Sequence, residues 1–135
     1  MKKSLLIFLV LLAVGCSKKS DDTPPQQGDV SLTGKWNIIE QESDNTGFKS
    51  VTSDRSIEFL SNNTVSVNGD LCIMTLAVGA NSTGSYITLS GIPAFDGQIT
   101  PDDCNESEVY YKINGNTLTV SYECTEFCAQ RFVKE

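Results

Sequence analysis

The stretch Val109-Tyr-Tyr-Lys-Ile-Asn-Gly-Asn-Thr-Leu-Thr-Val-Ser-Tyr122 reads as two strands joined by a tight turn. Val109, Tyr111 and Ile113 recur at every second position, and Leu118, Val120 and Tyr122 alternate with Thr117, Thr119 and Ser121. A period of two places one set on a buried face and the other toward water. Between them Asn114-Gly115-Asn116 offers residues that tolerate positive φ, the strongest short-range hairpin signal. The same pattern returns upstream, in Thr64 to Asn68, with Val65 and Val67 on one face. Lys35–Gln41, Arg55–Leu60, Leu71–Val78, Ser85–Ser90 and Ala129–Lys134 are further candidate strands. Ser61-Asn62-Asn63, Asn68-Gly69-Asp70 and the segment 79–84 supply turn chemistry between them. No segment sustains an apolar period of 3.6. About eight short strands, mostly hairpin-linked, predict an all-β domain, either an antiparallel barrel or a sandwich. Segments 42–54 and 91–108 read as long polar loops, the second carrying the run Asp102-Asp103-Cys104-Asn105-Glu106.

The chain opens differently. Lys2 and Lys3 precede the apolar run Leu5 to Val14, and Gly15-Cys16 follows. A basic head, a short apolar stretch and small residues read as a secretory signal over 1–15. The ten-residue run falls well short of the roughly 20 that a membrane-spanning helix needs. Cys16 after Ala13-Val14-Gly15 resembles the lipobox of bacterial lipoproteins. That resemblance implies cleavage before Cys16 and acylation of its thiol, with acyl chains such as palmitate holding the protein to the membrane. The plainer alternative is a secreted protein whose Cys16 is incidental. Residues 16–29 contain no large apolar side chain and include Pro24-Pro25, so they read as a disordered tether. Within it, Lys19-Ser20-Asp21-Asp22 resembles the acidic signal that sends some lipoproteins to the cell surface. The expectation is an outer-membrane lipoprotein, displayed at the cell surface in preference to the periplasmic face.

The remaining segment, 30–135, carries 14 acidic against six basic residues, a net charge of −8, and the chain has no histidine. Such acidity disfavours nucleic acid and anionic membrane surfaces as partners. Four cysteines (Cys72, Cys104, Cys124 and Cys128) in an exported domain predict two disulfides. Three pairings are open by count. Proximity across a hairpin end favours Cys124 with Cys128, leaving Cys72 with Cys104. Neither a CxxC pair nor a histidine supports zinc.

Gly34-Lys35-Trp36 resembles the Gly-x-Trp opening of the first strand in lipocalins and in the smaller lipocalin-like domains of bacterial lipoproteins. Ser56-Ile57-Glu58-Phe59, the hairpin Tyr111 to Val120 and Arg131-Phe132-Val133-Lys134 are similar to later strands of that family. A Thr-Asp-Tyr loop motif of the transport branch has no counterpart here. The resemblance implies a small up-and-down β-barrel, lipocalin-like, in which Trp36 would pack against Arg131 to close one end. Ile38, Phe59, Val67, Leu118, Val120 and Tyr122 are candidate inward residues. They could line a cavity for a small apolar or amphipathic ligand, or fill the barrel as core.

Catalysis has little support, because histidine-based triads are impossible and Asp102-Asp103 has no setting that would separate two pKa values. The acidic loop could coordinate calcium, but its spacing matches no EF-hand and a solvated loop is the simpler account. The sequence therefore predicts a non-enzymatic envelope protein without a cofactor. Two functions stay open: a binding barrel for a small apolar molecule, or a solid interaction module docking a protein or glycan.

Overall fold

In the computed structural model, which describes residues 31–135, nine strands follow in chain order. They are β1 (Gly34–Glu42), β2 (Lys49–Ser50), β3 (Ser56–Phe59), β4 (Thr64–Val67), β5 (Ser82–Thr88), β6 (Gly97–Pro101), β7 (Val109–Asn114), β8 (Thr117–Tyr122) and β9 (Cys128–Lys134). Every pairing is antiparallel, β3 to β8 each pair with the next strand, and β1 pairs with both β3 and β9. Eight strands thus close into an up-and-down barrel, with β2 added beside the far end of β1. Closure satisfies the ladder hydrogen bonds of both would-be edge strands. The signal segment 1–15, Cys16 and the tether to residue 29 lie outside the described residues.

One bulge makes closure possible. Residues 34–37 of β1 pair with β3, and residues 40–41 pair with β2. Between Ile38 and Glu40 the register with β9 shifts by one, leaving Ile39 as the extra residue. A bulge bends and twists its strand, which lets β1 leave β3 while it stays on β9.

Alternation sets the interior. Val65 and Val67 on β4, Val109 and Tyr111 on β7, and Leu118, Val120 and Tyr122 on β8 are all buried, while their neighbours face outward. Phe59, Tyr86 and Tyr111 meet edge to face, with centroids 5.1–6.4 Å apart, the geometry that aromatic quadrupoles favour.

Four expectations need correction. Leu71–Val78 forms no strand, because side chains occupy the carbonyls that a ladder would use: Asp70 O, Thr75 O and Leu76 O accept from Arg55, Gln130 and Ser53. Segment 91–108 is not all loop, since β6 lies within it. Its Gly97 sits under the Tyr111 ring, where any Cβ would enter the ring. Segment 42–54 contains the short strand β2. The late hairpin turns on Gly115-Asn116, with Asn114 still paired to Thr117. Only Gly115 takes positive φ, 59°, the position that II′ turns give to glycine.

An up-and-down barrel sorts its connections by end. The β1–β3, β4–β5, β6–β7 and β8–β9 connections share one end, here the loop end. The other end carries residues 60–63, 89–96 and 115–116, together with the start of β1 and the finish of β9. Both disulfides brace the loop end. Cys72–Cys104 ties the β4–β5 loop to the β6–β7 loop, and Cys124–Cys128 closes the β8–β9 connection.

Candidate functional site

The six candidate lining residues come together inside the barrel, in one core with Trp36, Ile57, Val65, Ile99, Val109 and Phe132. Phe59, Leu118 and Val120 are each 0 % accessible to water, Val67 is 3 %, Ile38 is 6 % and Tyr122 is 7 %. A cavity able to hold a ligand would leave accessible surface on its walls. These side chains belong to one buried cluster, in which little of their surface is left to water.

The end-closing pair is corrected. Trp36 is fully buried, with its Nε1–H donated to the Leu32 carbonyl at 2.8 Å, but the cation near its ring is Lys134, whose Nζ lies 5.2 Å from the centroid. Lys134 also donates to the carbonyls of Ser31 and Thr33, stitching the end of β9 to the chain before β1. Strand parity explains the exchange. Trp36 is registered with Lys134, whereas Arg131 pairs with Glu40 beyond the bulge and points outward between the inward Gln130 and Phe132. Arg131 bonds Glu40 at 3.1 Å and its guanidinium lies 3.6 Å from the Phe48 ring centroid.

Beneath the loop end sits a buried polar cluster. Arg55 is fully buried just before β3. Its Nε donates to Gln130 Oε1 at 3.1 Å, and its Nη2 donates to the Asp70 carbonyl at 2.6 Å and to the Tyr122 hydroxyl at 3.2 Å. Tyr122 in turn donates to Gln130 Oε1 at 3.0 Å. Burial pushes the Tyr122 phenol above its ordinary value, against the opposing pull of Arg55, so the hydroxyl keeps the proton it donates. Arg55 Nη1 is buried without an acceptor among the described residues. It lies against Gly69, where a Cβ would collide with the guanidinium and with the Ala77 carbonyl. Gln130 Nε2 reaches the Thr75 carbonyl and Leu71 enters the core, so residues 70–77 lie over the barrel as a cap pinned from below. Arg55→Met keeps most of the volume but leaves the Asp70 carbonyl without its donor, a cost of about 1–3 kcal/mol partly offset by removing a buried charge. Amide exchange at Cys72 and Ala77 should accelerate in this variant while β7 and β8 stay protected. Uniform acceleration across the barrel would contradict the role of Arg55 as a cap anchor.

On the outer face, running from the loop end to Phe95 of the β5–β6 connection, lies a cleft of about 200 Å³ lined by Phe95, Tyr110, Tyr122, Phe127 and the carboxylates Glu108, Glu123 and Glu126. Phe95 and Tyr110 stack with centroids 4.5 Å apart and planes 19° from parallel. Phe127, 39 % exposed, meets Phe48 edge-on at 6.4 Å. The Tyr110 hydroxyl donates to Glu108 at 3.1 Å. Its pKa is raised by desolvation first and then by Glu108 and Glu123, which places negative potential on this wall.

Sequence reasoning missed Arg55 and this cleft. An arginine opening the alternating strand segment Arg55-Ser-Ile-Glu-Phe59 was a weak local cue. The cleft has no local cue, because its walls come from three connections. Two acids of 91–108 have local partners: Asp96 accepts from the Ile113 amide at 2.7 Å, and Asp102 accepts from the Thr83 hydroxyl at 2.7 Å. Comparison of the chain with family models, curated proteins and solved structures finds no match.

Proposed function

We propose that this chain is a lipid-anchored protein of the bacterial cell envelope, whose lipocalin-like barrel is a solid scaffold that presents its loop end to a protein or glycan partner. The observation carrying this reading is the interior: Phe59, Leu118 and Val120 have no accessible surface, and Arg55, Gln130 and Tyr122 hold the cap over them. With these side chains closed to water, the reading places recognition on the outside, where two disulfides hold three of the four connections at one end. The described chain enters at the opposite end, ahead of Gly34. An anchor at Cys16 and a tether over 16–29 would therefore leave the loops directed away from the bilayer, outside the cell if Lys19-Ser20-Asp21-Asp22 acts as a surface signal.

Organic extracts of the purified protein should yield no lipid beyond the anchor, and a panel of fatty acids and phospholipids should cause no thermal shift. Recovery of a stoichiometric apolar molecule would return the function to the barrel interior. Cys16→Ala should abolish acyl labelling and release the protein from membranes; unchanged labelling would remove the lipid anchor from the account.

A further inference from the structure

The cleft beside Tyr110 shares its chemistry with a neighbouring arrangement that the fold completes by itself. On the adjoining surface Arg131 lies over Phe48 and bonds Glu40, so an aromatic face and a carboxylate hold one guanidinium. Phe127 links the two places, because it meets Phe48 and also lines the cleft. In the cleft the aromatic wall is the stacked pair Phe95–Tyr110, and the carboxylates are Glu108, Glu123 and Glu126. Among the described residues the ion pairs are Lys35–Glu135, Lys49–Asp44 and Arg131–Glu40, so none of these three glutamates has a cation within bonding distance. The second arrangement therefore has a ring face and acids but no guanidinium.

We infer that this cleft receives an arginine side chain from a partner protein, its guanidinium stacked on the Phe95–Tyr110 wall and paired with Glu123 and Glu126. The inference rests on the docking-module reading and names the partner chemistry at its loop end. Size selects a side chain: about 200 Å³ is below the roughly 300–1,000 Å³ of sites that enclose whole small molecules. Chemistry selects arginine, since a planar and weakly hydrated guanidinium stacks on aromatic rings and bonds carboxylates in a fork, which an ammonium cannot match. Arginine is also a frequent anchor at the centres of protein interfaces. The net charge of −8 on 30–135 would draw a basic partner toward this surface.

The test is a titration of the ¹⁵N-labelled full chain with N-acetyl-arginine amide, alongside the lysine and citrulline analogues. Saturable shifts should be confined to residues 95, 108–110 and 121–128. Citrulline, uncharged but similar in shape, should bind at least about tenfold more weakly, and lysine should also bind more weakly than arginine. The exposed double variant Glu123→Gln/Glu126→Gln, and separately Tyr110→Ala, should weaken binding about five- to thirtyfold while the amides of β3 and β4 stay unmoved. Equal binding of citrulline, shifts spread over Asp44, Asp102 and Asp103, or no saturation at all would overturn the inference. That failure is separable from failure of the docking reading, which falls on evidence from the barrel interior, such as recovery of a bound ligand.

Discussion

Trp36→Ala lowers the unfolding free energy by about 3–5 kcal/mol. Trp36 has no accessible surface, packs at the end of the core opposite the loops and gives its indole N–H to the Leu32 carbonyl at 2.8 Å. Truncation removes the largest side chain of that layer, opens a cavity that the closed ladder cannot collapse, and leaves the Leu32 carbonyl without its donor. Urea unfolding followed by circular dichroism measures the loss, and a value below about 1 kcal/mol would place the ring at the surface. Arg131→Ala is the control. Its partners Glu40 and Phe48 lie on the outer face and the arginine side chain is 40 % exposed, so the cost should be about 1 kcal/mol or less. The fluorescence of the single tryptophan should not change, because Arg131 does not cover it. A shifted emission maximum in Arg131→Ala would restore the pairing that the lipocalin resemblance suggested.

Replacing Cys72 and Cys104 together by serine costs about 3–4 kcal/mol in the chain-entropy model, because the bridge spans 32 residues. Replacing Cys124 and Cys128, separated by four residues, costs only about 2 kcal/mol on the same basis. The two bridges also differ in what they hold. Cys72 sits in the cap over Arg55 and Gln130, so its loss should expose residues 70–77 to proteolysis before the barrel unfolds. Cys124–Cys128 closes only a hairpin end, next to the cleft. Equal losses from the two double variants, or a cap that stays resistant without Cys72–Cys104, would contradict this division.

Strand periodicity was legible where one face meets the core and the other meets water. Val65 and Val67, and Leu118, Val120 and Tyr122, show the alternation that the barrel uses. The pattern misled at Leu71–Val78, where Leu71, Met74 and Leu76 are apolar for a different reason: they cover the barrel end as a cap. Periodicity reports burial, and a buried cap reads like a buried strand. β6 escaped notice because Gly97 and Pro101 look like loop chemistry, although the glycine makes room for the Tyr111 ring and the proline pairs with Gly84 near the strand end. Disulfide pairing followed from proximity along the chain, since Cys124 and Cys128 can meet locally. The Trp36–Arg131 assignment failed by one residue of parity, and in a sheet one residue exchanges the two faces. The cleft was invisible because Phe95, Tyr110 and Phe127 share no local pattern and converge only once the barrel has closed.

A packed interior is the premise of the functional reading, and xenon tests it directly. A dry apolar cavity of about 150 Å³ takes up xenon under pressure, whereas a filled core does not. Crystals of the protein equilibrated with xenon should show no site within the space bounded by Phe59, Leu118 and Val120. A well-occupied xenon site there would reveal room for an apolar guest and contradict the solid barrel.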